Sequence, residues 1–416
     1  MVRGKRKAMS SVPNPGMSLH STETCCPKMY IPWEREKASN LLSPPDRHYC
    51  MNLALEHPKF RQHQENWYMD DEAKIALLKV SNSVVSLVSY IDGKKFMHGS
   101  GTIIESDNMM SIVLTSANIF RHAQDVLEND LPDDLKITVI YSSRGESYTG
   151  DVLAYDYHYN LAVIGFQPEN PVSIAKIALI DDSLGVSLNP PSSVLRPHSK
   201  SYNLAPGDGV IAVGRYFYAS FDLMGACGFY CLARSELDCK ELFQTTCSIT
   251  GCGDGGPMIN YNGEVIGVYF HCRGFTSFMP VNISLKWWNY YKQHGKYCRP
   301  SLGFEAMNMY AADVDIIERV IMKFPSVCKG VIVERVIPGS PAHLAGLIEN
   351  DVIFLCDGKP VQSFLEFFEI MWNRVGELVA LVVARQDSVE PVHLDMISVE
   401  ATQEQFNSWP GHGLKP

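Results

Sequence analysis

Two consecutive runs of short β-rich segments fill the middle of this chain of 416 residues. The first run includes VVSLVSYI, KFMHGSGTII, SIVLTS, LKITVIYS, GDVLAYD and LAVIGF, and the second includes GVIAVGRYFY, ELFQTTCSI, PMINYNGEVIGVYF and GFTSFMPVN. These segments are rich in Val, Ile, Thr and aromatic residues, and turn residues separate them. Two groups of short strands of this kind predict two β-barrels packed together.

The segments on either side of the strands predict helices. DEAKIALLKV (71–80) begins with acidic residues and has helical spacing, so it predicts a short helix. SLKWWNYYKQHG (284–295) reads as an amphipathic helix that closes the second barrel. Within the last hairpin, Asn262-Gly263 predicts a two-residue turn with positive φ angles.

The remaining segments set the domain organisation. Residues 1–70 show no sustained period and predict an irregular extension. Residues 300–398 alternate strand, turn and helix, which is typical of a small α+β unit. The sequence therefore predicts an N-terminal extension (1–70), a double barrel (71–296), an α+β domain (297–400) and a C-terminal tail (401–416).

Composition narrows the function classes and the compartment. The net charge of −10 argues against a general surface for nucleic acid or anionic membrane, and no apolar run reaches the roughly 18 residues that a spanning helix needs. The 12 cysteines contain no CxxC pair and no zinc-site spacing, so we expect reduced thiols, no metal and no cofactor.

The N-terminus lacks an apolar signal core, and its basic residues 3–7 are more typical of a solvated tail than of a nuclear address or a transit peptide. We expect an intracellular protein, cytoplasmic or nuclear, with organelle import left open.

Several motifs, in order, resemble the HtrA (Do-like, DegP-type) family, in which a trypsin-like double β-barrel precedes a PDZ domain. The resemblance covers roughly residues 72–398 and rests on GSGTII (99–104), VLTSANIF (113–120), AYDYHYNLAVIGF (154–166), PGDGVIAVGRYF (206–217), GCGDGGPMINYNGEVIGV (251–268), GFTSFMPVN (274–282) and GSPAHLAGLIENDVIFLCDGKPV (339–361). The fold it implies is mainly β: a trypsin-like double barrel followed by a small α+β PDZ domain.

The resemblance places other residues at the three catalytic positions of the family. Asn118 stands where the histidine is expected, Asn160 where the aspartate is expected, and Asp254 where the serine nucleophile is expected. An asparagine amide does not accept a proton near neutral pH, so the general base is missing. A carboxylate is a poor nucleophile, and its charge opposes a developing oxyanion. In the oxyanion loop, Cys252 replaces a glycine and precedes Gly253.

Two interpretations of these positions are open. In a rewired protease, Cys252 would pair with His122 or His158, but the geometry is unfavourable because four residues along a helix displace a side chain by about 6 Å. More typically, Cys252 is a loop thiol and both histidines are surface residues. As a further hypothesis, Asp254, Asn118 and Asn160 form a carboxylate–amide–amide chain of hydrogen bonds that satisfies the cleft without chemistry.

The α+β segment keeps its expected peptide site. Ser301, Leu302, Gly303 and Phe304 are similar to the carboxylate-binding loop of PDZ domains, and Phe367, Ile370 and Met371 are candidates for the side-chain pocket or for the core.

These residues predict a catalytically inactive homologue that binds polypeptides or protein C-termini through its PDZ domain. It would act as a scaffold, a chaperone-like binder or a regulatory subunit. The family implies a homo-oligomer, a trimer, or a hetero-oligomer with active relatives. The alternatives are an active serine-type or rewired cysteine-type endopeptidase, and a structural protein without a peptide site.

Overall fold

The computed structural model describes residues 69–107, 109–121, 131–142, 144–186, 201–218, 221–232, 239–271 and 276–407. The predicted N-terminal extension lies outside this part of the chain, apart from its last two residues. Within the described ranges, no helix is long and apolar enough to cross a membrane.

Helix α1 (Asp71–Val80) opens the described chain, as its sequence predicts. The Asp70 side chain caps it by accepting the Ala73 N–H at 2.7 Å. Four apolar side chains at helical spacing (Ala73, Ala76, Leu77 and Val80) are buried and pack on strands of the second barrel.

The first barrel is closed and antiparallel, with strand order β1-β2-β3-β6-β5-β4. Its strands are β1 (Val84–Ile91), β2 (Lys94–Ser106), β3 (Ser111–Ser116), β4 (Lys136–Tyr141), β5 (Glu146–Asp156) and β6 (Leu161–Phe166). Alternating apolar residues such as Leu87, Ile103 and Val139 fill its interior without exposure to solvent.

The segment between the barrels carries β7 (Ile180–Asp181) and β8 (Tyr202–Asn203), which pair in parallel. The second barrel is also closed, with order β10-β11-β14-β13-β12-β9. Its strands are β9 (Gly209–Arg215), β10 (Leu223–Cys231), β11 (Phe243–Thr245), β12 (Pro257–Ile259), β13 (Val265–Phe270) and β14 (Thr276–Pro280). The two closed barrels confirm the predicted fold class.

The hairpin β12–β13 turns differently from its prediction. Only Gly263 has a positive φ, at +79°, whereas Asn262 does not. The Asn260 N–H donates to the Glu264 carbonyl at 3.0 Å, which leaves three residues in the loop. A bulge between Met258 and Ile259 then restores the register. The glycine supplies the left-handed residue of a three-residue loop, so the prediction of a two-residue turn was wrong.

Helix α2 (Val281–His294) closes the second barrel and ends at Gly295, whose φ is +64°. It ties the two barrels together, because it packs on β13 and β14 while Trp287 Nε1 donates to Asp156 of the first barrel at 3.0 Å. The predicted closing helix is confirmed, and it begins three residues earlier than expected.

The C-terminal unit is a sheet of order β16-β17-β18-β20-β21, with β19 paired to β18, and three helices. Its elements are β15 (Pro300–Ser301), β16 (Phe304–Asn308), α3 (Val314–Lys323), β17 (Val331–Val336), α4 (Pro341–Leu344), β18 (Val352–Cys356), β19 (Lys359–Pro360), α5 (Phe364–Asn373), β20 (Leu378–Ala384), β21 (Val392–Ile397) and β22 (Val399–Glu400). The short strand β15 pairs with β22, so the unit is closed where the chain enters and leaves it.

Candidate functional site

The three positions predicted to have lost catalytic residues come from both barrels. Asn118 lies in a 3-10 turn (Ala117–Phe120) that follows β3, and Asn160 ends the turn before β6. Asp254 follows a second 3-10 turn (Gly251–Gly253) before β12. The Asn118 Nδ2 donates to Asp254 Oδ2 at 3.1 Å. The structure thus brings the base position and the nucleophile position within hydrogen-bond distance across the two barrels.

Asp254 is held by donors on several sides. Its Oδ1 accepts the His271 N–H at 2.8 Å, and the Ser116 hydroxyl also contacts its carboxylate. Although Asp254 is only partly buried, the dense packing around the carboxylate raises its pKa to about 6. The group is an acceptor in a fixed network, and its partners among the described residues (Asn118 Nδ2, the His271 N–H and the Ser116 hydroxyl) are all donors.

Asn160 does not complete the proposed carboxylate–amide–amide chain. Its side chain is fully buried, and among the described residues neither of its amide atoms, nor Asn118 Oδ1, has a hydrogen-bond partner. Its backbone φ is +52°, a region that Asn and Asp adopt more readily than other non-glycine residues. Asn160 therefore suits this backbone conformation, but its side chain carries no negative charge. Of the hypothesised chain, the structure forms only the bond between Asp254 and Asn118.

The oxyanion loop lacks a free donor where one is needed. In the 3-10 turn, the Gly253 N–H donates to the Thr250 carbonyl at 2.8 Å, and the Asp254 N–H donates to the Gly251 carbonyl at 3.1 Å. The Ser100 hydroxyl holds the Cys252 carbonyl at 2.6 Å. In a serine protease the amide of the nucleophile itself stabilises the oxyanion, and here that amide is already bonded.

The thiol of Cys252 points away from this chemistry. It is fully buried, and its Sγ lies 2.6 Å from Thr250 Oγ1 and 3.7 Å from Met224 Sδ. Burial raises the pKa of the Cys252 thiol to about 12, so it is protonated at neutral pH. Cys252 is thus a buried thiol.

The two candidate histidine bases have different outcomes. His122 lies outside the described residues, and the 3-10 turn that carries Asn118 ends at Phe120 rather than continuing as a helix. The interpretation of His158 as a surface residue was wrong, because it is 6% exposed. Burial lowers its pKa, and it packs on the rings of Tyr159 and Phe406. A contact with the C-terminal tail, which the sequence could not show, covers it.

His271 is a site residue that the sequence reading missed. Its backbone holds Asp254, and its Nδ1 lies 3.4 Å from the Tyr269 hydroxyl. The sequence held a clue to this position. If residues are paired outward across the hairpin from Asn262-Gly263, residue 271 falls opposite residue 254. The observed pair Pro257–Val268, beyond the bulge, has the same register.

Asp156, the last residue of β5, is the centre of a buried ion pair with Arg299. Both of its carboxylate oxygens accept from Arg299 Nε, at 3.0 and 2.9 Å, and Oδ2 also accepts from Trp287 Nε1. Its Oδ1 accepts the His158 N–H at 2.8 Å. The carboxylate is 1% exposed. It joins β5 to α2 and to the segment that enters the C-terminal unit.

The predicted carboxylate loop has the expected backbone. Gly303 has φ +71°, and its carbonyl accepts the Ile337 N–H at 3.0 Å and the Ser340 hydroxyl at 2.9 Å. Ser301 is half-buried and pairs with Val399. Strand β16 stands at an end of the sheet order, next to α5. A strand edge beside a helix is the arrangement that adds a peptide strand.

Most of the predicted pocket residues, however, are buried in this structure. Leu302, Phe304, Phe367 and Met371 are buried and Ile370 is half-buried, and the buried ones share one apolar cluster with the second barrel.

Three contacts from the barrels reach the elements that border the pocket. Tyr159 stacks on Trp372 of α5 at 5.8 Å. The buried Asp182 accepts from Asn308 Nδ2 of β16 at 2.7 Å, and Lys240 lies 3.9 Å from Glu305. These contacts hold both bordering elements against the rest of the chain.

Comparisons with known proteins agree with both halves of the chain. A family described as "Trypsin-like peptidase domain" matches residues 99–268, and one described as "PDZ domain" matches residues 332–385. The "Putative protease Do-like 14" of Arabidopsis thaliana is 30% identical over 316 residues, which cover 74% of this chain and 65% of that protein. The "Periplasmic pH-dependent serine endoprotease DegQ" of Escherichia coli (strain K12) is 27% identical over 282 residues, covering 64% and 52% respectively.

The chain thus spans about three fifths of the length of the curated relatives it matches. Among solved structures, the one described as "HtrA-type protease AlgW with tripeptide" covers 79% of this chain and 97% of its own, at 18% identity and a TM-score of 0.50. At that identity the likeness shows the fold alone.

Proposed function

We propose that this chain, which belongs to the HtrA (Do-like) family of trypsin-like domains followed by a PDZ domain, is a polypeptide-binding protein without peptidase activity. The observation that carries the proposal is the hydrogen bond between Asn118 Nδ2 and Asp254 Oδ2. At the position of the base, an amide donates a hydrogen bond, and at the position of the nucleophile, a carboxylate accepts it. In serine hydrolysis the proton travels the other way, from the nucleophile to the base.

The alternative of a rewired endopeptidase has less support. A cysteine nucleophile needs a thiolate and a base within about 3 Å. The Cys252 thiol is buried, bonded to Thr250 and protonated at neutral pH. The Asp254 N–H, which an oxyanion would require, is bonded to Gly251.

We expect the purified protein not to cleave unfolded casein and not to be labelled by a fluorophosphonate probe, because all three catalytic positions carry other groups. Both are measured at pH 7 after removal of contaminating proteases. Cleavage that persists through purification and is abolished in Cys252→Ala would contradict the proposal in favour of a cysteine protease.

The matched controls restore one or three positions. Asp254→Ser alone should remain unlabelled, because Asn118 cannot act as its base. The triple variant Asn118→His, Asn160→Asp, Asp254→Ser restores the side chains, so labelling of this variant reports whether the 3-10 turn at Gly251–Gly253 can open to admit an oxyanion.

The PDZ unit carries the binding function in this proposal. We expect residues 297–400, expressed alone, to bind peptides that end in an apolar residue with a free carboxylate, at micromolar affinity. Amidation of the peptide should remove most of the binding, because the carboxylate would lose its hydrogen bonds with the loop at Gly303. Fluorescence polarisation measures both. Equal affinity for the acid and the amide would show that the loop is not a carboxylate site.

Gly303→Val is a poor test of this site, for a reason that only the structure gives. A Cβ at Gly303 would lie 2.7 Å from Ser340 Cβ, and φ is +71°. The substitution would disturb the loop itself, so amidation of the peptide is the cleaner experiment.

The partners follow from the site and from the family. Protein C-termini are the ligand class that the PDZ loop fits. Assembly with active relatives would make the chain a regulatory subunit, and a homo-oligomer is the alternative that the family implies. Size-exclusion chromatography with light scattering distinguishes these from a monomeric scaffold or chaperone-like binder.

A further inference from the structure

The described end of the chain returns to the first barrel after the PDZ sheet is complete. Strand β22 ends at Glu400, and a 3-10 turn (Gln403–Gln405) follows. A capping box between Thr402 and Gln405 fixes this turn. The segment is thus locally ordered by its own sequence, and it directs Phe406 and Asn407 at the barrel.

Both residues contact His158. The Asn407 N–H donates to His158 Nδ1 at 3.3 Å, and Asn407 Nδ2 donates to the His158 carbonyl at 2.8 Å. The ring of Phe406 lies 5.3 Å from the His158 ring. These contacts recognise both the side chain and the backbone of one residue, two positions before Asn160.

The same segment also contacts the chain that enters the PDZ unit. The Arg299 guanidinium lies over the Phe406 ring at 4.5 Å, and the Ala401 N–H donates to the Arg299 carbonyl at 2.7 Å. Arg299 in turn pairs with the buried Asp156. The entry and the exit of the PDZ unit are therefore fastened to one turn of the first barrel, residues 156–160.

We propose that residues 401–407 form a clasp that holds the PDZ unit against the barrels and controls access to the groove between β16 and α5. While the PDZ unit stays docked, both elements that border this groove are held, through Tyr159, Asp182 and Lys240. The unit cannot swing away unless Phe406 and Asn407 leave His158, because the segment between them and β22 is short and folded as a turn. The control of peptide access rests on the proposed function, whereas the clasp itself does not.

The test uses the full chain with Phe406→Ala and Asn407→Ala combined. Gln403→Ala is the matched control, since Gln403 is exposed in the same turn. Hydrogen exchange followed by mass spectrometry measures how well the amides of α5 and β16 are protected, which reports whether the PDZ unit is docked. Access to the groove is measured as the affinity for a pool of fluorescein-labelled octapeptides. These peptides end in Val, Leu, Ile or Phe and have free carboxylates.

We expect exchange at α5 and β16 to rise by about ten-fold in the double variant, and affinity for the pool to rise by a similar factor, because the substitutions remove the Asn407 Nδ2 hydrogen bond to the His158 carbonyl and the contacts of the Phe406 ring with His158 and Arg299. Faster exchange without peptide binding would leave the clasp standing and would count against the proposed function. Exchange at α5 unchanged from the control would overturn the clasp. Faster exchange in β6 as well would mean that the double variant destabilises the barrel itself. In that case the milder variant Asn407→Ser is tested with the same two measurements.

Discussion

Replacing Asp156 by alanine is expected to lower the free energy of unfolding by about 3–5 kcal/mol, which is the usual cost of removing one partner from a buried ion pair. The carboxylate is 1% exposed and accepts from Arg299, Trp287 and the His158 N–H. Its loss leaves the Arg299 guanidinium, whose side chain is only 15% exposed, without its counter-ion. Urea denaturation followed by tryptophan fluorescence measures the change.

Asp151→Ala is the control for this experiment, because Asp151 is exposed on the same strand, β5. It should change stability by less than about 0.5 kcal/mol. A loss below about 1 kcal/mol in Asp156→Ala would mean that the junction between the first barrel, α2 and the PDZ entry is held by apolar packing rather than by this ion pair.

The second large effect is a dependence of stability on pH at Asp254. Its pKa is raised to about 6, above the ordinary value of 3.8. Well below pH 3.8 the group is protonated whether the chain is folded or unfolded, and it contributes nothing. As the pH rises from 4 to 6 the unfolded chain ionises first, so the folded state becomes progressively less stable, and the penalty is constant above pH 6.

We therefore expect Asp254→Asn, which mimics the protonated acid, to gain stability over the unsubstituted protein by about 2 kcal/mol between pH 4 and pH 7. About 3 kcal/mol would follow from two pKa units, and the smaller figure allows for the part of Asp254 that reaches water. Unfolding of both proteins at pH 4, 5, 6 and 7 measures the difference. Asp134→Asn, an exposed position, should run parallel to the unsubstituted protein. Parallel curves for Asp254→Asn would show that the carboxylate is ionised at no cost.

The chemical character of positions 118 and 254 could be read from the sequence because chemistry depends on residue type. An amide at 118 cannot be a base, and a carboxylate at 254 cannot replace a hydroxyl, whatever surrounds them. The partners of these groups could not be predicted. Asn118 and Asp254 are 136 residues apart, and Asn160 was expected to join them but does not.

The sequence by itself determined the two barrels, the helices α1 and α2 and the α+β unit, because period-2 patterns, turn residues and helix caps act over a few neighbouring residues. Only the tertiary structure decided the burial of His158, the pairing of Asp156 with Arg299 and the burial of the PDZ pocket residues. Each of these depends on surfaces from distant parts of the chain meeting in one arrangement. A pocket residue such as Phe367 has the same apolar character whether it receives a peptide or packs against its own protein.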